Sequence, residues 1–267
     1  MIAAEMAQNG PGEELMKEER RKQMEALIAR RQSITMEELC AHFGVSMNTV
    51  RADVAYLVDS GSAEKVYGGV RARARKQVPL FSSRAKEHTE RKRDIARAAE
   101  TLVRDGDLLF LDNGTTTMHL IDFLSPGKRV TVVTASLHVI SRAATLENVK
   151  LIVLPGTLDR RTNSLTDLGT QEFLSRFRFT KAFMGVTEVS GDGRLNVSTY
   201  QEFLVKRTAL AQSQEKILLA DGSKFQGSGL MAYGSMEDMT ALVTDGACPR
   251  EDLRRWSDSG VEVIVVG

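Results

Sequence analysis

The sequence predicts an α/β protein, made of a small helical unit followed by a larger, open and mainly parallel sheet domain. Apolar residues recur at helical spacing between Glu18 and Leu57. Beyond residue 107, seven short apolar runs alternate with helical stretches, as expected for strands that helices cover on both faces. A strongly basic stretch separates these two patterns. The 267 residues, 42% of them apolar, are enough for a small domain and one of roughly 170 to 190 residues.

Capping residues and apolar faces predict three helices in the small unit. Helix one spans Glu18 to Arg31, Thr35 caps a short second helix, and Ser46 caps a third after the tight turn that Gly44 allows. The apolar faces of the first two helices hold Met24, Leu27, Ile28, Met36, Leu39, Cys40 and Phe43. Three such helices bury a small core, whereas two do not.

The third helix has two unlike faces. Its inward positions are Val50, Val54 and Leu57, and its outward positions are Met47, Asn48, Arg51, Ala52 and Ala55. This arrangement is a helix-turn-helix. Because a recognition helix presents its first residues to base edges in the major groove, we expect Asn48 and Arg51 to recognise adenine or guanine.

A small wing is predicted to follow the third helix, which ends at Gly61. Ala63 to Arg71, with Gly68-Gly69 near its end, forms two short strands from which Lys65 and Tyr67 approach DNA phosphates. The residues predicted to contact double-stranded operator DNA are Thr35, Ser46, Met47, Asn48, Thr49, Arg51, Lys65, Tyr67 and Arg71. An ordinary helical hairpin in an enzyme's accessory domain is the alternative, which the additional helix and the wing make less favourable.

Charge is distributed unevenly along the chain. The formal net charge is only +1, yet the stretch from Lys65 to Arg93 contains ten basic and two acidic residues. Such a run beside a helix-turn-helix suits a phosphate backbone, and Arg71 to Lys76 is its best candidate segment. Arg84 to Arg93 is interpreted instead as a solvated linker and the basic start of the next helix.

The predicted domain organisation is a disordered tail at 1–14, a winged helix-turn-helix domain at 15–71, a basic linker at 72–90 and an α/β effector-binding domain at 91–267. Cys40 and Cys248 share no metal-ligand or redox spacing, so neither a metal, a cofactor nor a disulfide is predicted. No segment has the length of a membrane span, and Met1 to Pro11 lacks the pattern of a secretory signal. We therefore expect a cytoplasmic protein.

The larger domain is predicted from alternating strands and helices. Its strands are Leu108–Leu111, Thr131–Thr134, Leu151–Leu154, Ala182–Val186, Lys216–Ala220, Ala241–Thr244 and Val261–Val266. Its helices are Arg91–Arg104, Thr116–Leu124, Leu137–Leu146, Thr170–Arg176, Tyr200–Gln212 and Arg250–Ser257. This spacing favours right-handed parallel crossovers.

Ligands of open α/β sheets bind beyond the carboxyl ends of the strands, so the loops there are the candidate site. The loop of residues 112–117 combines a glycine with threonine hydroxyls at a helix start, which suits a phosphate. Three later loops, 134–136, 154–157 and 220–225, end strands at the same edge. The predicted effector-binding residues are Asp112, Gly114, Thr115, Thr116, Ser136, Gly156, Asp221 and Lys224.

Simpler structural roles compete with these interpretations. Thr115 or Thr116 can merely cap a helix, and residues 220–225 can form a surface turn. Glu202 and Lys206 stand four apart on one predicted helix and could also reach the site, although such a pair is more often a solvated face.

Four separated motifs resemble the DeoR family of transcriptional regulators. Residues 45–54 (VSMNTVRADV) resemble its recognition helix, 67–70 (YGGV) the end of its wing, 112–117 (DNGTTT) its D-x-G-T-T loop, and 221–225 (DGSKF) its D-x-S-K-F element. The resemblance implies a repressor whose C-terminal domain is related to sugar-phosphate isomerases. It also implies that a phosphorylated sugar or similar metabolite binds that domain and usually releases DNA.

Five residues depart from the family pattern. Ala52 replaces a second arginine of the recognition helix, and Lys65 and Tyr67 replace the usual arginine and histidine of the wing. Ala135 replaces an asparagine and Pro155 the first glycine of a pair. Operator sequence and effector identity therefore do not carry over from relatives.

The leading hypothesis is thus that the protein represses a carbohydrate-utilisation operon, and that a phosphorylated sugar or polyol releases the protein from its operator. Activation of transcription is the less usual outcome. A sugar-phosphate isomerase-like enzyme with an appended helical domain is the alternative, for which Asp112, Asp192, Glu202 or Asp221 would serve as base. A scaffold that uses only the basic stretch would not explain the recognition helix. Because one short helix contacts few base pairs, we expect a homodimer or homotetramer.

Overall fold

The computed structural model describes residues 11–59, 62–72, 79–167, 169–227 and 231–267. The chain divides into two compact units, Met1–Gln77 and Val78–Gly267. They are called the N-terminal unit and the C-terminal unit. No helix within the described ranges is long and apolar enough to cross a membrane.

The N-terminal unit consists of helices and a small antiparallel sheet. Its elements are α1 (Pro11–Arg31), β1 (Ser33–Thr35), α2 (Met36–Phe43), α3 (Met47–Asp59), β2 (Ala63–Val66) and β3 (Gly69–Ala72). The strand order is β1-β3-β2, so the predicted wing gains a third strand from the segment before α2. The core contains the predicted apolar residues Met24, Leu27, Ile28, Leu39, Val50, Val54 and Leu57.

Local signals set the ends of these elements. Thr35 and Glu38 form a capping box at the start of α2, and the Ser46 hydroxyl accepts the Thr49 N–H at 3.2 Å. A Cβ on Gly69 would lie 2.4 Å from the carbonyl oxygen of Ile34. β1 and β3 therefore approach so closely that only glycine fits at position 69.

The C-terminal unit is built on a seven-stranded, fully parallel sheet. Its helices are α4 (Phe81–Lys86), α5 (Thr89–Glu100), α6 (Leu120–Phe123), α7 (Leu137–Ala143), α8 (Thr170–Ser175), α9 (Tyr200–Ala211) and α10 (Arg250–Asp258). Its strands are β4 (Leu108–Leu111), β5 (Val130–Thr134), β6 (Val149–Val153), β7 (Thr157–Asp159), β8 (Ser164–Thr166), β9 (Phe179–Met184), β10 (Glu188–Ser190), β11 (Arg194–Val197), β12 (Ser213–Leu219), β13 (Phe225–Gly227), β14 (Met231–Ser235), β15 (Ala241–Asp245) and β16 (Glu262–Val266). The order of the large sheet is β16-β15-β12-β9-β4-β5-β6.

The predicted fold class is confirmed. Every predicted strand belongs to the large sheet, and neighbouring residues of a strand point into different cores, as Leu218 and Leu219 do. Two smaller sheets, β13-β10-β11-β14 and the hairpin β7-β8, were not predicted. Their strands have only three to five residues, too few for a clear alternation of apolar and polar positions.

Several elements begin or end at residues other than those predicted. α1 begins at Pro11, inside the predicted tail of 1–14, whose residues 1–10 lie outside the described ranges. The predicted linker of 72–90 contains α4 and the start of α5, because the buried Phe81 packs into the core of the C-terminal unit. The segment 73–78, with Arg73, Arg75 and Lys76, and Gly61 also lie outside the described residues. The predicted helix 116–124 is a 3-10 turn, Thr117–His119, followed by the short α6.

Candidate functional site

The outer surface of α3 presents the residues predicted to contact bases. Asn48, Arg51 and Ala52 are exposed, while Met47 and Thr49 are half-buried. An exposed amide and guanidinium at the start of a helix are suited to bidentate hydrogen bonds with adenine and guanine.

The residues predicted to contact DNA phosphates differ in whether they already have partners within the protein. Lys65 is exposed, and the Tyr67 side chain at the tip of the wing is fully exposed. Arg71 instead faces Glu64 across β2 and β3, and its guanidinium pairs with that carboxylate. Thr35 is committed to its cap.

A buried carboxylate that is not among the predicted functional residues joins α3 to α1. Asp53 is 1% exposed and accepts hydrogen bonds from Nε of Arg20 at 2.7 Å and Nε of Arg21 at 2.8 Å. The guanidinium of Arg21 also lies 4.0 Å from the ring centroid of Tyr56. The available signal was an aspartate on the otherwise apolar inward face of α3.

The C-terminal unit places Asp112 at the carboxyl end of β4, where it organises the edge of the sheet. Its carboxylate accepts hydrogen bonds from the N–H of Gly114 and Gly185 and from the Thr117 hydroxyl, at 2.5 to 2.6 Å. The ammonium of Lys206 pairs with the same carboxylate and donates to the Gly185 carbonyl at 2.7 Å.

Electrostatics keep this carboxylate ionised. Burial alone would raise the pKa of Asp112, but the nearby Lys206 ammonium and the hydrogen bonds outweigh it and lower the pKa below its usual value. Burial, with the Asp112 charge, raises the pKa of the neighbouring Tyr233, whose hydroxyl donates to the Gly185 carbonyl at 3.0 Å. The ionised Asp112 carboxylate is therefore a fixed acceptor that holds the N–H groups of Gly114 and Gly185 and the Thr117 hydroxyl in place.

An open cleft lies directly beside this scaffold. One part of its wall is the 113–116 loop, which contains Gly114 and the hydroxyl-bearing Thr115 and Thr116. Arg84 from α4 and Lys224 contribute positive charge, and Glu202 from α9 contributes a carboxylate. Cations, hydroxyls and loop amides together suit a phosphate, and a carboxylate suits hydroxyl donors.

A second, more apolar compartment adjoins the cleft. Asn113, Glu202 and Lys206 line both spaces. The remaining wall of the second compartment includes Phe110, Ala135, Leu165 and Val205. The departure Ala135 therefore lies at this compartment, while the Pro155 carbonyl accepts a hydrogen bond from Thr170.

Among the eight predicted effector residues, Gly114, Thr115, Thr116 and Lys224 line the cleft, and Asp112 stands behind it. The structure does not bring the other three into the cleft wall. They have the structural roles described next.

Ser136 is fully buried and caps α7. Asp221 is also fully buried, and its carboxylate accepts hydrogen bonds from the N–H and the hydroxyl of Ser223. Gly156 has φ 149°, and a Cβ there would lie 2.6 Å from the backbone of Thr166. Glycine is required at position 156 because the backbone packs closely against Thr166 of β8. The sequence placed these residues at the correct edge of the sheet but not their side-chain directions.

Conversely, the cleft wall includes residues outside the predicted effector-binding set. Arg84 lies in the predicted linker, yet it lines the cleft. Glu202 and Lys206, for which the sequence allows either the site or a solvated face, are 9% and 4% exposed and also line the cleft. The signal for Lys206 was weak, because helical spacing alone does not tell which face of α9 meets the sheet.

Comparison with known proteins agrees with this arrangement. A model of the DeoR-like helix-turn-helix domain matches residues 20–76, and a model of the DeoR C terminal sensor domain matches residues 87–246. The chain is 36% identical over 229 residues to the HTH-type transcriptional regulator IolR of Bacillus subtilis, covering 86% of this chain and 91% of the relative. It is 27% identical to the glycerol-3-phosphate regulon repressor of Escherichia coli, covering 89% and 94%.

Among solved structures, ribose 5 phosphate isomerase A from Neisseria gonorrhoeae aligns with a TM-score of 0.38 and 19% identity, covering 51% of this chain and 53% of that one. A score of that size does not indicate a shared function. The two matched domains and the relatives over most of the sequence are decisive, and the protein belongs to the DeoR family of transcriptional regulators.

Proposed function

We propose that this protein represses a carbohydrate-utilisation operon and that a phosphorylated sugar or polyol releases it from the operator. The observation that carries the proposal is the cleft, in which Arg84 and Lys224 accompany the 113–116 loop. Relatives described as repressors of the aga operon and of the glycerol-3-phosphate regulon support it.

DNA binding is assigned to the exposed side of α3 and to the wing. Asn48 and Arg51 contact base edges, and Lys65 and Tyr67 contact phosphates. Ser46, Met47 and Thr49 position the start of the helix against the backbone.

In the cleft, the effector's phosphate lies against the 113–116 loop, Arg84 and Lys224, because these groups donate hydrogen bonds and carry positive charge. Its hydroxyl groups donate to Glu202. A sugar or polyol phosphate satisfies both ends, whereas an unphosphorylated sugar would leave the cations without a partner.

The geometry does not favour the isomerase alternative. Both oxygens of Asp112 are occupied by donors, and its lowered pKa makes it a weak base for removing a proton from carbon. Asp221 is buried against Ser223, and Asp192 is exposed and lines neither space. One oxygen of the Glu202 carboxylate accepts hydrogen bonds from the hydroxyls of Ser198 and Thr199. We therefore propose a receptor and not an enzyme.

The first experiment measures affinity for the gene's own upstream DNA and for a random duplex at one fixed salt concentration. Arg51→Ala is expected to weaken operator binding by about 1–3 kcal/mol and random-duplex binding much less. Lys150→Ala, which removes an exposed cation from β6, is the matched control and should leave both affinities unchanged. Equal wild-type affinity for both duplexes would contradict specific regulation.

The second experiment screens sugar and polyol phosphates by thermal shift and tests each hit for DNA release. Lys224→Ala and Arg84→Ala should abolish release while leaving operator affinity in the absence of effector unchanged. Release by the unphosphorylated sugar alone would refute the assignment of the phosphate to this cleft.

A further inference from the structure

The short helix α4, which carries Arg84 to the cleft, is fixed near both of its ends. At its start, the Phe81 ring packs into the core of the C-terminal unit, and the Phe81 N–H donates to the Arg161 carbonyl at 3.0 Å. Near its end, the Lys92 ammonium donates to the Arg84 carbonyl at 2.5 Å. The backbone of α4 is therefore held on its own unit, and the side chain of Arg84 is the part that is free to respond to a bound molecule.

The guanidinium of Arg84 has donors for two different acceptors. Its Nε donates to the Pro79 carbonyl at 3.1 Å, and the same residue lines the cleft beside the 113–116 loop and Lys224. Within the described ranges, neither terminal nitrogen of Arg84 has a protein acceptor. Because a guanidinium presents five N–H donors in a fixed fork, Nε can hold Pro79 while the terminal nitrogens bind a phosphate.

Pro79 lies where the chain enters the C-terminal unit. The N-terminal unit ends at Gln77, so Pro79 is the second residue of the unit that follows. Every residue predicted to contact DNA precedes it in the sequence. A guanidinium that holds both Pro79 and a phosphate therefore connects the cleft to the start of the C-terminal unit.

We propose that Arg84 is the coupling residue of this regulator, which binds the effector's phosphate with its terminal nitrogens and transmits occupancy of the cleft to Pro79 through Nε. Lys224 adds affinity for the same phosphate but has no part in the hydrogen bond to Pro79. The proposal rests on the proposed function, since it concerns the same cleft. It goes further by separating a residue that couples the two activities from a residue that only binds.

The test measures coupling apart from binding. A ligand changes DNA affinity only through its different affinities for the DNA-bound and the free protein, so the coupling is the change in operator affinity at saturating ligand. The full chain is titrated with its own upstream DNA at constant ionic strength, without a probe and with inorganic phosphate, glycerol 3-phosphate or glucose 6-phosphate. At saturation, a probe that binds the cleft should weaken operator binding by the wild type about tenfold.

Two variants should separate affinity from coupling. Arg84→Lys keeps the positive charge but loses the fork, so a saturating probe should change its operator affinity by less than about twofold. Lys224→Ala should stay on the operator at the probe concentration that saturates the wild type. At higher probe concentrations it should reach the same change as the wild type.

Lys86→Ala removes an exposed cation from the same helix and is the matched control, which should keep the wild-type change. Thermal shift measures binding of each probe and shows that each variant is folded. Because coupling is reciprocal, operator DNA should weaken probe binding by the wild type and by Lys224→Ala, but not by Arg84→Lys.

Three results would overturn the proposal. If Arg84→Lys binds a probe and responds like the wild type, Arg84 does not couple the cleft to DNA, while the proposed function stands. If Arg84→Lys binds no probe that the wild type binds, Arg84 is a binding residue only. If no probe changes the operator affinity of the wild type, the proposed function is refuted and this proposal with it.

Discussion

The two units of this protein use charged side chains in opposite ways. In the N-terminal unit, Arg51 lies exposed and the buried Asp53 supports the helix from behind. In the C-terminal unit, Lys206 of the buried Asp112–Lys206 pair lines the cleft, and Asp112 lines the adjoining compartment. A surface that binds DNA needs exposed cations on a stable helix. A small-molecule cleft, in contrast, is formed by charged side chains that are buried and must therefore be paired with an opposite charge.

The largest expected effect is the loss of one member of the buried pair. Lys206→Met leaves Asp112 without its counter-ion, and we expect the free energy of unfolding of the C-terminal unit to fall by about 3–5 kcal/mol. Denaturant unfolding followed by fluorescence of Trp256, the chain's single tryptophan, measures this directly, because Trp256 is buried in the same unit.

A matched exposed pair sharpens the comparison. Glu172 and Arg176 lie 2.9 Å apart on the surface, both more than 70% exposed. Arg176→Met should change the unfolding free energy by less than about 1 kcal/mol. Similar losses for both variants would mean that the buried pair has no special structural role.

The buried carboxylate of the N-terminal unit should have a smaller effect. Asp53→Asn removes the charge that Arg20 and Arg21 share, but both arginines are partly exposed and water can solvate them. We expect a loss of about 1.5–3 kcal/mol in the unfolding free energy of this unit. Hydrogen exchange of the α1 and α3 amides measures this loss, and the exchange of the β9 amides in the other unit is the reference. Unchanged exchange in α1 would contradict the role given to Asp53.

Arg71 tests whether a paired cation still contributes to DNA binding. Because Glu64 neutralises it, Glu64→Ala with Arg71→Ala should leave affinity for DNA close to that of the wild type. Lys65→Ala should instead reduce the slope of log affinity against log salt by about 1. A loss in the double variant equal to that in Lys65→Ala would show that Arg71 contacts DNA after all.

The sequence predicted the parts of this molecule that depend on local pattern. Thr35, Gly44 and Ser46 set helix ends within a few residues, and the continuous apolar runs identified each strand of the large sheet. The 112–117 loop was located because it follows such a strand. Each of these features can be predicted from residues that are close together in the sequence.

What the sequence did not reveal depends on distant partners. Asp112 and Lys206 are 94 residues apart, so their pairing is not visible as a spacing. Arg84 reaches the cleft only because Phe81 anchors α4 to the core. Ser136 and Asp221 are at the predicted edge, but their directions follow from how caps and turns form in three dimensions.

The last expected effect is a pH dependence at the buried Lys92. Lys92 donates to the Arg84 carbonyl at 2.5 Å, and burial lowers the pKa of its ammonium from 10.5 to about 8. Between those two values the unfolded chain binds more protons than the folded chain, so this group makes the C-terminal unit more stable as pH rises. Trp256 fluorescence unfolding at pH 8 and pH 10 should show that increase in the wild type and a reduced one in Lys92→Met. If the wild type and Lys92→Met respond to pH identically, Lys92 remains charged in the folded chain. Other groups would then balance the charge of Lys92, as Lys206 balances the charge of Asp112.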